Sequence, residues 1–135
     1  MRVVGAHILS VYLGSLVLLI GIEVTVFGAM GFVQGLGKWI GGFVVFLTLS
    51  LLSLPIGLLL RSGIGRMPIK PLHGALLGGG AVGLVLMFVL HPAMYPPLSF
   101  GSNPLSLTVA HLAAGLSAGI IWYSIEFAGK EVIVD

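Results

Sequence analysis

An all-α, polytopic membrane protein is the fold class this sequence predicts, and three observations carry that expectation. Only 7% of the 135 residues are charged and 58% are hydrophobic, whereas an ordinary soluble domain is about 25% charged. Mean hydropathy is +1.19, so too little polar material exists to clothe a water-facing surface, and lipid must solvate most of the chain. Windows of roughly 20 apolar residues, the length that crosses about 30 Å of hydrocarbon, fall at about 7–30, 40–60, 73–91 and 105–127. Barrel strands would alternate polar and apolar residues, and these segments are apolar on every face. The expected architecture is a single transmembrane domain over 1–135, an integral membrane four-helix bundle.

The first span opens with a basic residue and an apolar core, as a signal peptide does, but its apolar stretch exceeds the usual 7–15 residues, so it is read as a retained helix. Gly, Pro and charge punctuate the rest: "GFVQGLGKWIGG" (31–42), "RSGIGRMPIKPLH" (61–73) and "HPAMYPPLSFGSNP" (91–104) are read as breaks between spans. Arg2, Arg61, Arg66, Lys70 and Lys130 fall on one side of this plan and Lys38 on the other. An excess of cations marks the cytoplasmic side, so both termini and the 61–72 loop are expected there, in a plasma (inner) membrane. Trp39, Tyr95 and Phe100 then stand near the outer boundary and Trp122 and Tyr123 near the inner one, as interfacial anchors.

Lipid tails give helices no hydrophobic reason to associate, so contact faces are marked by small residues. On the first span His7, Ser10, Gly14, Gly21, Thr25 and Gly28 share an arc at about 100° per residue. The third carries Gly74, Gly78, Gly79 and Gly83, and the fourth Ala110, Ala114 and Ala118 beside Gly115 and Gly119. All are read as packing surfaces. The "GGG" at 78–80 lacks the Lys–Ser/Thr ending of a phosphate loop.

Against that background Glu23 stands out, because an ionised side chain at the centre of a bilayer costs at least ~2.5 kcal/mol and marks a functional site by default. It lies on the face of its helix opposite the small stripe, with Tyr12, Leu16, Leu19 and Phe27. If the stripe packs inward, Glu23 needs a partner subunit, a helix on each of its two faces, or a proton of its own. His111 is expected at similar depth, and Lys38 and His91 at the outer ends of their helices, so the four form a candidate polar intramembrane site. On the inner side Arg61, Arg66 and Lys70 form a basic loop that serves topology and can touch anionic headgroups. Glu126 is placed within reach of Lys130 at i+4.

Cysteine is absent, which removes disulfides and thiolate chemistry. Four histidines among apolar helices suggest a b-type haem through His7/His73 or His91/His111. However, His73 and His91 are eighteen residues apart, about 27 Å along a helix, and no cofactor or metal is expected. A pI of 9.3 rests on six cations against four anions and does not signal nucleic acid. With no hydrolytic or transferase motif and no soluble region, an enzyme is not expected. The leading expectation is a structural or regulatory subunit of a larger membrane complex, with the lipid bilayer and other membrane subunits or further copies of itself as partners. The alternative is a small transporter or channel for a proton, cation or small polar solute, using the outer Glu/His site.

Overall fold

A computed structural model of the chain describes the backbone of residues 1–94 and 104–127 and the side chains of 1–88 and 105–127. Among the described residues six helices follow one another: α1 Arg2–Phe27, α2 Met30–Gly41, α3 Phe43–Leu52, α4 Leu54–Ile64, α5 Pro71–Met94 and α6 Pro104–Phe127. No strand occurs among the described residues. Three helices are long and apolar enough to cross a membrane, four if the bent α2–α3 pair is counted as one span. The protein is therefore an all-helical, membrane-type chain, in keeping with its composition.

α1, α6 and α5 stand side by side as alternating antiparallel rods, with α6 in the middle. Gly21 meets Ala110 and Gly14 meets Ala114 and Ala118, so α6 descends as α1 rises. On its other side α6 places Gly115 and Gly119 against Gly79, Gly83 and Ala75 of α5. A Cβ on any of these α5–α6 glycines would run into the backbone of the facing helix, which is why only hydrogen fits there. The two small-residue frames of α5 diverge: Gly79 and Gly83 face α6, whereas Gly74 and Gly78 receive the Ile64 side chain from the end of α4.

The stretch 31–42, expected to be a break, is helical. Its glycines are packing sites rather than breakers, since a Cβ on Gly31 would collide with the Glu23 carbonyl and one on Gly35 would lie 2.7 Å from the Ile20 Cα. The chain reverses instead at Gly28, whose φ of +59° lies in the left-handed region that glycine enters without a Cβ penalty. Gly28 thus ends α1, with nothing within 4 Å of a Cβ there, and does not share the packing role of Gly14 and Gly21.

The apolar run expected as one helix over 40–60 is broken twice. At Gly42 the axis turns by 69°, the kind of kink that paired glycines permit, and a Cβ there would meet the Phe46 ring and the Lys38 carbonyl. At Ser53 the helix restarts, with Pro55 in the first turn of α4; proline has no N–H to continue the ladder. The outcome is a crooked segment, Met30 to Ile64, lying along α1 and ending beside α5 and α6.

Candidate functional site

Both faces of α1 are covered, α6 on the small-residue face and α2 on the Glu23 face. Glu23 is consequently buried, its side chain 9% exposed. Lys38 donates to its Oε1 at 2.5 Å, while Oε2 is buried with no hydrogen-bond partner. Lys38 keeps 57% of its side chain exposed. The lysine does not stand at the outer start of its helix as expected. It is eight residues, about 12 Å, into α2, and its long stem reaches back up to the carboxylate. Trp39, beside it, is likewise well inside α2: its Nε1 donates to the Tyr12 carbonyl and to Ser15 Oγ, both at 3.1 Å. Its ring lies 4.6 Å from that of Tyr12.

The structure does not join Glu23 to His111. The described bond of Glu23 goes to Lys38, and His111, itself buried, places Nδ1 2.9 Å from the Leu107 carbonyl one turn earlier. The side chain of His91, loop residues 95–103 with Tyr95 and Phe100, and Lys130 lie outside the described residues.

Further down α1 the small stripe splits. His7 does not accompany Gly14 and Gly21 onto α6; its Nε2 lies 3.0 Å from Ser53 Oγ at the α3–α4 break, and its ring fills the notch left by Gly57. Ser10 donates to the His7 carbonyl at 2.8 Å, and Ser53 donates to the Ser50 carbonyl at 3.0 Å. Ser10 and Ser50 are buried. His73, by contrast, is exposed at the start of α5, so the His7/His73 haem pairing is not assembled.

At the lower end Arg61 leaves the basic loop altogether. It lies in the last turn of α4 and grips Glu126 with Nε, 2.9 Å from Oε1 and 3.1 Å from Oε2, and with its terminal nitrogen on Oε1. Glu126 is 3% exposed, and its described partner is this arginine. Sequence reasoning missed this pair, and the two residues are 65 positions apart with no local motif linking them. Arg66 and Lys70 remain exposed in the connection to α5. The Arg61–Glu126 pair borders a cleft of about 180 Å³ shared with Trp122, Met67 and Phe127.

The described polar contacts of the crooked segment follow one another along its length: Lys38–Glu23, Trp39 with Ser15 and Tyr12, and Ser53–His7 on α1, then Arg61–Glu126 on α6. Among the described residues no three His, Asp or Glu side chains gather as metal ligands. No family model, curated protein or solved structure matches this chain.

Proposed function

We propose that the protein is a small, non-enzymatic membrane transporter or channel that passes a proton or small cation, with the Glu23–Lys38 pair as its exchange site. On this reading α2, α3 and α4 form one crooked crossing. The chain then makes four crossings as an irregular four-helix bundle, with both termini on the face of Arg2, Arg61, Arg66 and Lys70, the cytoplasmic one by its charge.

The observation that carries the reading is the half-satisfied carboxylate of Glu23. One oxygen is held by an ammonium and the other, buried, accepts nothing. A buried polar atom without a partner is costly, and a proton, a water or a cation completes it. Protonation of Glu23 removes the charge that holds Lys38, whose exposed side chain then has room to swing. Bent or broken helices at membrane depth recur beside ion sites in carriers, and the 69° bend at Gly42, four residues beyond Lys38, is one. A subunit role drew its argument from an outward-facing Glu23. With α2 on that face, Lys38 covers the charge from within the chain, and transport is the better supported of the two.

Purified protein reconstituted alone into vesicles is expected to carry proton, sodium or potassium flux under an imposed potential. Glu23→Gln should slow it at least tenfold while helix content and yield persist. Flux no faster than in protein-free vesicles, or a Glu23→Gln variant as fast as the unmodified chain, contradicts the reading.

A further inference from the structure

His7 sits sixteen residues below Glu23, about 24 Å along α1, on the same side as the crooked segment and at its second break. Nε2 is the ring nitrogen engaged by Ser53 Oγ, at 3.0 Å. The Ser53 hydroxyl also has the Ser50 carbonyl within 3.0 Å, and when it gives its proton there Nε2 is the donor to Ser53 Oγ. Nδ1 is left with a lone pair. An imidazole held in this way can take a proton at Nδ1 and give it up again.

The surroundings hold the ring closely, with its Cε1–Nδ1 edge against Gly57. Gly57 lies against the ring where any Cβ would overlap it, so the notch is shaped for the imidazole. One turn further along α4 stands Arg61, already neutralised by Glu126 from α6. The groups meeting His7 from the crooked segment are the uncharged Ser53 and Gly57. On its own helix the nearest charged side chain is Arg2, and the charged group of α2, Lys38, is engaged far above by Glu23. Between Glu23 and His7 the seam carries Ser15 and the Tyr12 carbonyl beside Trp39, polar groups that can anchor bridging water.

We infer that His7 is the inner station of a proton path whose outer station is Glu23, which makes the transported species the proton itself rather than a hydrated metal cation. The inference rests on the transport reading above and names its substrate. In each passage a proton adds to the Nδ1 lone pair, giving an imidazolium, and leaves from the same nitrogen toward the Arg61 end; no electron is exchanged and no other bond breaks. A metal cation would need several oxygen ligands at one depth, whereas the described carboxylates, Glu23 and Glu126, stand at opposite ends of the helices, each with its own cation.

The test uses vesicles containing the whole chain, an internal pH dye and a potassium-diffusion potential. Glutamine at position 7 retains an N–H donor for Ser53 but cannot take a proton, so His7→Gln is expected to lower proton flux at least tenfold, with sodium and potassium not carried. Nitrogen-15 spectra of histidine-labelled unmodified protein should show His7 taking a proton at Nδ1 as the pH is lowered, a readout that stands even where the variant does not fold. Proton flux unchanged in His7→Gln while Glu23→Gln is inactive overturns the role of His7 and leaves that of Glu23. A His7 ring still neutral at pH 4, or sodium or potassium flux without proton flux, overturns it as well. Unmodified vesicles no more permeable than lipid alone overturn both.

Discussion

α1 is packed on two sides by two different kinds of seam. Toward α6, and from α6 on to α5, the closest contacts are made by hydrogen and methyl groups: Gly14 and Gly21 against alanines, Gly115 and Gly119 against Gly79, Gly83 and Ala75. Toward the crooked segment Gly31 and Gly35 also approach closely, but this seam adds an ammonium, an indole N–H, serine hydroxyls and an imidazole. The first seam joins straight helices and the second joins broken ones. Close backbone approach needs positions without side-chain volume, whereas polar side chains at membrane depth need partners or water and tolerate broken helices beside them. One seam is made mainly of small groups and the other carries the ion pair and the side-chain hydrogen bonds of α1.

The contrast can be broken at either end. Arg61→Ala strips the partner from Glu126, which is 3% exposed, and should cost about 3 kcal/mol in detergent unfolding. That is the low end for breaking a buried ion pair, because the arginine is itself partly exposed; replacing both residues by methionine should restore most of the loss. Next in size, Gly115→Val drives a branched side chain onto the Gly79 carbonyl, and overpacking of this kind costs about 1–3 kcal/mol. Retained thermal stability in that variant would mean that the α5–α6 seam is looser than its glycines imply. Ser53→Ala deletes a single bond to His7 and should lower the unfolding midpoint by the equivalent of about 0.6 kcal/mol, the average for an interhelical hydrogen bond in a membrane. Smallest of all, Gly37→Ala faces open space, and the better helix propensity of alanine should leave stability equal or higher by up to ~1 kcal/mol. A marked loss there would show that α2 packs on something further.

The straight helices were readable from the sequence because hydropathy and small-residue spacing both report on a regular rod: the 73–91 and 105–127 windows became α5 and α6, and Gly79, Gly83, Ala114 and Ala118 do pack. The crooked segment was not, because glycine signals a helix break and a helix contact equally well. Gly28, read as packing, is the turn, whereas Gly31 and Gly35, read as a break, are the packing. That exchange also misplaced Lys38 and Trp39 in depth. Glu23 was recognisable from its cost alone, and Lys38 was among its named neighbours, but His111 was favoured on depth where the rotation of α6 decides. Arg61 and Glu126 meet only through the descent of the whole segment from Met30 to Ile64, which no local pattern records.

The central claim is that the seam beside the crooked segment admits water and the seam beside α6 does not. The chain lacks cysteine, so single cysteines report directly, since only a hydrated thiol ionises and reacts. Ser15→Cys, Ser53→Cys and Ala118→Cys should be compared in vesicles by their rates with a small water-borne thiosulfonate. The account predicts that cysteine at 15 and 53 reacts at least tenfold faster than at 118. Equal, slow labelling at all three positions would contradict it, leaving the polar line a dry set of structural bonds.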